Sequence, residues 1–214
     1  MNLEFYWPDF ITLVLAHFVA LLSPGVDFFI IVSNSSKYGK ISGIITSSGI
    51  ALANLVYILL ALFGITLIKD NIMLFTSIKA IGAIYLLYIG YLLLNASKRD
   101  LFKNKKNNDI SKSNKETYFK NFTMGFLSAI LNPKNSIFYF TMFSISIQND
   151  THFIIQSFYA LWMFLAVLFW DFFIVYLVSH NKSKLFMQKY SNLIEKISGT
   201  ILIFIAFLIF INIL

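Results

Sequence analysis

Charged residues and cysteine are what the sequence has least of. Only 13% of its 214 residues are Asp, Glu, Lys or Arg, about half of the roughly 25% that is usual in a soluble domain. It contains no cysteine, which excludes disulfides, thiolate metal sites and cysteine nucleophiles. Proline occurs three times and arginine once, as Arg99. Because so few charges cannot cover a water-facing surface, the composition excludes a soluble enzyme and a disordered chain.

Apolar residues take the place of the missing charge. Hydrophobic residues make up 58% of the chain, and Phe alone accounts for 24 positions. Six apolar stretches are long enough to span a bilayer as helices. None of them alternates between apolar and polar residues with a period of two, so a β-barrel is not predicted. Because lipid offers no water to unpaired backbone groups, these long apolar runs are predicted to be helices. The sequence therefore predicts an all-α integral membrane protein whose six transmembrane helices cover residues 10–32, 43–68, 72–94, 122–147, 153–178 and 197–214.

The net charge of +7 is distributed unevenly along the chain. Of the 17 basic residues, 14 fall in the connections after the first, third and fifth spans, whereas the N-terminus and the other two connections hold only Lys69. Since basic connections are retained in the cytoplasm, both termini are predicted to face outward from the bacterial cytoplasmic (inner) membrane. The positive charge then indicates orientation, and no nucleic-acid partner is predicted.

A Lys/Asn-rich segment, residues 98–121, divides the chain into two sets of three spans. We predict a first three-helix repeat over 1–97, a cytoplasmic loop over 98–121 and a second three-helix repeat over 122–214. Three spans in each half force the halves into opposite orientations, so similarity between them indicates a 3+3 inverted repeat, which is typical of secondary transporters. Pro24 and Pro133 each lie near the middle of the first span of their half. Because proline removes a backbone donor, the first and fourth spans are predicted to be interrupted there; a plain kink is the alternative.

Two acids and two bases lie within the predicted spans, namely Asp27, Lys79, Lys134 and Asp171. Each costs about 2.5–3.5 kcal/mol at the bilayer centre, so each should face protein or water beside a partner. Removal from water favours the neutral form of a carboxyl group, which makes Asp27 and Asp171 candidate proton carriers. The alternative is that Asp27–Lys134 and Asp171–Lys79 are fixed ion pairs between helices.

Further polar residues complete the predicted site. Asn54 and Asn132 either bind substrate or join helices, and Tyr85 either lines a cavity or packs in the core. The three histidines lack metal-ligand spacing, and there is no nucleophile–base cluster or phosphate-binding loop, so no enzyme activity, metal or cofactor is predicted. The predicted substrate and proton-coupling residues are Pro24, Gly25, Asp27, Asn54, Lys79, Tyr85, Asn132, Pro133, Lys134 and Asp171.

Three motifs resemble those of the LysE-type amino-acid exporters. The segment Ser23-Pro24-Gly25-Val26-Asp27 resembles the Pro-Gly-Pro-Asn/Asp signature of that family. Residues 79–90 are similar to its third-helix pattern, and Gly125-Phe126 followed by residues 131–134 looks like its fourth-helix motif. The resemblance implies export of amino acids or close derivatives driven by the proton-motive force, with a central site at the two proline motifs.

Two positions depart from the family pattern and leave the substrate open. Val26 stands where the signature usually has its second proline, and Asn54 where the family often has an acidic residue. The alternatives are a divalent metal-cation exporter of the same architecture and a non-transporting membrane assembly protein. The expected partners are an amino acid, protons and the lipid bilayer; a monomer and a homodimer are both compatible with the sequence.

Overall fold

The described part of the chain is built of helices. The computed structural model describes residues 7–68, 70–98, 115–148 and 150–213, and within these ranges it has no strand. The predicted all-α class is therefore confirmed. The helices are α1 (Trp7–Leu22), α2 (Val26–Tyr38), α3 (Lys40–Ile68), α4 (Ile72–Leu94), α5 (Lys115–Ile130), α6 (Pro133–Ser146), α7 (Phe153–Val178) and α8 (Asn181–Ile213).

Several of these helices are suited to a membrane. Within the described ranges, α3, α4, α7 and the Leu185–Ile211 part of α8 are long and apolar enough to cross one. Helices α1 and α2 meet at 53° and count as a fifth crossing if they form one bent span. The arrangement of six spans as a 3+3 inverted repeat stays a prediction.

Two short breaks separate consecutive helices near the prolines. α1 ends at Leu22 and α2 begins at Val26, with Pro24 in the connection. α5 ends at Ile130, and α6 begins with Pro133 in its first turn, where the missing backbone donor is not needed. The side chain of Asn132 caps α6 by accepting a hydrogen bond from the backbone N–H of Lys134 at 3.0 Å. Whether these breaks interrupt membrane spans stays a prediction.

Helix bounds agree with the apolar runs in some places and exceed them in others. α4 and α7 have the predicted bounds. α8 begins at Asn181, well before the predicted start at 197, because residues 181–196 are polar yet rich in good helix formers. The predicted connection after the first span is also largely helical, since α2 extends to Tyr38 and α3 begins at Lys40, with Gly39 between them at φ +89°. Most of the predicted loop 98–121 lies outside the described residues.

Helices from before and after the 99–114 segment pack against each other. α3 packs on α5, α6 and α7, while α4 packs along α8 and α6. At the α3–α5 crossing the backbones approach so closely that a side chain at Gly49 would overlap the carbonyl group of Phe122, and one at Gly125 would overlap that of Thr46. The resulting core includes Leu13, Ile58, Leu86 and Phe143, and it leaves a polar cavity where the helix breaks meet.

Candidate functional site

The two helix breaks border one polar cavity, which we call the central cavity. It measures about 90 Å³ and lies among α1, α2, α3, α6 and α7. This volume has room for several water molecules, which suits a small ligand rather than a peptide. Its polar lining comes from both halves of the chain and consists of His17, Ser23, Asp27, Asn54, Asn132, Lys134, Asn135, Tyr139 and Asp171.

The starts of two helices face the central cavity. α2 begins just after Gly25, its N-cap residue, and no side chain caps it. The first turn of α6 contributes Lys134 and Asn135 to the lining. The first turn of a helix has backbone N–H groups without intrahelical partners and a partial positive charge. The uncapped start of α2 therefore favours an anionic group within the cavity, whereas the first N–H groups of α6 are already bonded to Asn132.

Asp27 is held in place by side chains from the other half of the chain. Ser128 Oγ donates to Asp27 Oδ1 at 2.9 Å, and Asn135 Nδ2 donates to Asp27 Oδ2 at 3.1 Å. Asn135 Nδ2 also donates to the carbonyl oxygen of Ala129, near the end of α5, at 3.3 Å. These bonds connect the first turn of α2 with α5 and α6, so a single carboxylate links the two broken regions.

Asp171 on α7 is the less satisfied of the two carboxylates. Its side chain is 7% exposed, and Oδ2 has no hydrogen-bond partner within the described chain. It also interacts electrostatically with Asp27. A buried polar atom without a partner is costly. Of the two carboxylates, Asp171 therefore has more to gain from a proton or a ligand ammonium.

Lys134 brings a positive charge to the same cavity. A methyl group added to Gly25 would lie 3.9 Å from Lys134 Nζ, so the ammonium group reaches the start of α2. Lys134 interacts electrostatically with Asp27, but none of the described side chains forms a closed ion pair with it. Tyr85 OH donates to the backbone carbonyl of Lys134 at 3.0 Å, which fixes the first turn of α6 from α4.

The central cavity brings together six of the ten residues predicted from the sequence. Gly25 lines it together with Asp27, Asn54, Asn132, Lys134 and Asp171. Of the other four, Tyr85 contacts it through the backbone of Lys134, and Pro133 begins α6. Pro24 borders a neighbouring apolar cavity of about 450 Å³. Lys79 lies elsewhere, in a cavity shared with Asp9.

Sequence reasoning missed several residues of the site. Ser128 and Asn135 bind Asp27, and the only signal available was that both lie within a turn of Asn132. His17 is 1% exposed, and neither ring nitrogen has a hydrogen-bond partner in the described ranges. Its ring centroid lies 5.5 to 5.9 Å from those of Phe138, Tyr139 and Trp162. One signal could have identified His17: it is the only histidine within a predicted span.

The donor set of the central cavity suits a zwitterion better than a metal ion. Its acids are Asp27 and Asp171, and the ammonium of Lys134 stands among them. A divalent cation prefers several anionic or neutral donors, and a lysine ammonium opposes its charge. Within the described residues, no group of three His, Cys, Asp or Glu side chains is placed to hold a metal ion.

Comparison with known proteins identifies the family to which the chain belongs. The family model described as LysE type translocator matches residues 18–212. The chain belongs to the LysE type translocator family. It is 32% identical over 193 residues to "Uncharacterized membrane protein YrhP" of Bacillus subtilis (strain 168), covering 86% of this chain and 89% of that protein. The threonine efflux proteins of Salmonella typhi and Escherichia coli (strain K12) are 28% identical to it over 144 residues, or 66% of this chain and 68% of each relative. No solved structure matches it.

The match extends over both helix breaks and nearly all of the central cavity. Residues 18–212 include every polar lining residue except His17. The resemblance found in the sequence motifs is thus confirmed at the level of the family. Together with the apolar helices, it makes this LysE type translocator a multi-pass membrane protein.

Proposed function

We propose that this protein exports amino acids or close derivatives from the cytoplasm as a secondary active transporter. The observation that carries the proposal is the charge arrangement of the central cavity. The ammonium of Lys134 and the carboxylate of Asp171 line one small space without forming an ion pair with each other. An amino-acid zwitterion offers the complementary charges. The relatives named threonine efflux proteins support this class of substrate.

Each wall of the cavity has a role in this proposal. Lys134 and the uncapped first turn of α2 bind the substrate carboxylate, because the ammonium is positively charged and the helix start presents N–H donors. Asp171 binds the substrate ammonium, and Asn54 and Asn132 supply neutral hydrogen-bonding groups. Tyr85 acts indirectly, by holding the backbone of Lys134 in position.

We infer that the proton-motive force drives export through the carboxylates. When the substrate ammonium leaves, a buried Asp171 loses its counter-charge, and a proton from outside replaces it at low electrostatic cost. Asp27 already has a hydrogen bond on each oxygen and couples electrostatically to Asp171. Amino acid and proton thus alternate at one carboxylate, which makes the exchange an antiport.

The proposed movement uses the two predicted halves. The repeats 1–97 and 122–214 rock about the central cavity, which opens alternately to each side of the cytoplasmic membrane. The breaks beside Pro24 and Pro133 supply the free helix ends at the centre. Both termini then lie on the outer side, as the distribution of lysine predicts.

Efflux from proteoliposomes tests this function. Vesicles containing the full chain are loaded with a panel of labelled amino acids, and release is followed with and without an acidic exterior. We expect release of at least one amino acid, faster with the pH gradient. Lys134→Met should abolish this release, whereas Lys120→Met, at an exposed position on α5, should not change it. No release of any amino acid in either condition would overturn the proposal.

Two further arms separate the mechanism from its alternatives. Asp171→Asn should remove the acceleration by the pH gradient, and an unchanged acceleration would exclude Asp171 as the proton carrier. Labelled cadmium is tested in the same vesicles. Cadmium release without amino-acid release would favour the cation exporter, and release of neither would favour the assembly protein.

A further inference from the structure

A second polar cavity, which we call the outer cavity, lies at the end of the bundle predicted to face outward. It measures about 440 Å³ and is lined by α1, α4, α8 and the end of α6. Its charged residues are Asp9 on α1 and Lys79 on α4, and its other polar residues are Thr12 and Gln148. Aliphatic side chains, Ile145, Ile205, Leu208 and Ile209 among them, form much of the remaining lining.

The acid and the base of the outer cavity are near each other without being paired. Gln148 Nε2 donates to Asp9 Oδ2 at 3.1 Å, which orients the carboxylate. Lys79 Nζ lies 4.5 Å from the ring centroid of Phe75. Asp9 and Lys79 interact electrostatically, yet within the described chain no ion pair joins them. Opposite charges therefore face one cavity from two different helices.

The outer and central cavities are stacked along the same two helices. On α1, Thr12 lines the outer cavity and His17 the central one, a separation of about 7.5 Å at the helical rise of 1.5 Å per residue. On α6 the corresponding residues are Ile145 and Tyr139, about 9 Å apart. The fully buried side chains of Leu13, Ala16 and Met142 occupy the interval. Buried side chains, among them the polar Thr141 and Ser144 of α6, therefore lie between the levels of the two cavities.

We propose that the outer cavity is a second binding site for the exported zwitterion, occupied after it leaves the central cavity. Asp9 binds the ammonium group and Lys79 the carboxylate, so each of these side chains gains a directly bound partner of opposite charge. Gln148 holds Asp9 in place, and the aliphatic wall contacts the substrate side chain. This inference rests on the proposed function, because it assigns to the outer cavity the same ligand.

Counting bound ligands tests the second site. The purified full chain in lipid nanodiscs is titrated with a panel of radiolabelled proteinogenic amino acids. For the amino acid that binds best, we expect two bound molecules per wild-type chain. Asp9→Asn and Lys79→Met should each bind one, whereas Asp70→Asn, at an exposed position between α3 and α4, should still bind two. One bound molecule in the wild type, or two in both outer-cavity variants, would overturn the inference.

Two controls distinguish loss of the second site from a folding defect and from failure of the proposed function. Thermal unfolding of each variant verifies its fold, and Lys79→Arg, which retains the charge, should restore the second bound molecule even where Lys79→Met unfolds. Lys134→Met should lose the other molecule and retain the outer one. Amino-acid efflux with a single bound molecule would support the function and overturn the second site. Two bound molecules without any efflux would support the second site and overturn the proposed function.

Discussion

The two carboxylates of the central cavity differ in their surroundings, and this difference supports the separate roles that we propose for them. Asp27 accepts hydrogen bonds on both oxygens from Ser128 and Asn135, and these donors fix its position. Asp171 keeps one buried oxygen without a partner among the described residues. Asp27 is therefore suited to hold the helix ends in place. Asp171 is suited to exchange a proton for an ammonium group.

Removing a donor to Asp27 should weaken substrate binding. Asn135→Ala removes one bond to Asp27 and one to the carbonyl of Ala129. Because a hydrogen bond to a charged group contributes about 1.5–3 kcal/mol, we expect the KM for the exported amino acid to rise about 10-fold or more. Initial efflux rates at increasing internal concentration measure this KM.

Variants of the other donor and of an uninvolved serine provide the comparison. Ser128→Ala removes a single bond to Asp27 and should raise KM less than Asn135→Ala does, while Ser128→Thr retains the hydroxyl and should restore it. Ser157 Oγ donates to the backbone of its own helix α7, at the carbonyl of Phe153, so Ser157→Ala should match the wild type. A KM for Asn135→Ala within twofold of the wild type would contradict the role given to Asp27.

The helices themselves could be predicted wherever an apolar run and a helix coincide. α4 and α7 are such cases, because polar residues flank each apolar run and the helix ends where the run ends. The start of α8 at Asn181 could not be found from hydropathy, since residues 181–196 mix polar with apolar side chains and only their helix propensity indicates a helix. Gly39 could not be distinguished from an ordinary loop glycine, although it joins two helices that are otherwise nearly continuous.

The site was predictable in part because charge within a span is costly wherever it occurs. That cost singled out Asp27, Lys134 and Asp171, and the structure places all three at one cavity. It could not show which acid each lysine accompanies: Lys79 lies in the outer cavity with Asp9, not beside Asp171. Ser128 and Asn135 have short neutral side chains that are common in membrane helices, so only the approach of α2 to α5 and α6 reveals their role.

The α3–α5 crossing depends on glycine. Gly49→Ala would place a methyl group against the backbone of Phe122 and within 2.9 Å of the amide nitrogen of Phe126. Backbone cannot move aside as a side chain can, so we expect a loss of about 1–3 kcal/mol in the free energy of unfolding. Thermal unfolding in detergent should show a lower Tm.

Gly64 on the same helix is the matched control. A methyl group there would lie 3.0 Å from Cε1 of Phe140, and that ring can rotate away. Because alanine also favours a helix over glycine by roughly 1 kcal/mol, Gly64→Ala should leave the Tm unchanged or raise it. Equal losses at Gly49 and Gly64 would show that backbone contact at the crossing is not what limits stability.

The placement of its positive charge predicts the orientation of the whole molecule. The connections predicted to be cytoplasmic hold 14 of the 17 basic residues. The absence of cysteine makes this orientation accessible to labelling, since any thiol introduced is unique. Asp70 between α3 and α4 and Ser97 after α4 are both exposed, and they lie on opposite sides of the predicted membrane.

Labelling of intact cells should therefore distinguish these two positions. We expect a membrane-impermeant maleimide to modify Asp70→Cys in intact cells and Ser97→Cys only after permeabilisation, because the positively charged side remains in the cytoplasm. The wild-type chain provides the blank. Labelling of Ser97→Cys but not Asp70→Cys in intact cells would invert the topology, and with it the direction assigned to the outer cavity.

Helix α8 contributes residues to cavities at both of its ends. Its 33 residues form a rod of about 50 Å. Phe186 and Met187 near one end line the apolar cavity beside the central site, while Ile205 and Ile209 near the other line the outer cavity. Between them, Gly199 meets Gly90 of α4 so closely that neither position has room for a side chain. If α8 tilts about this contact during the proposed transport cycle, its two ends move in opposite directions, and we expect one cavity to widen as the other narrows.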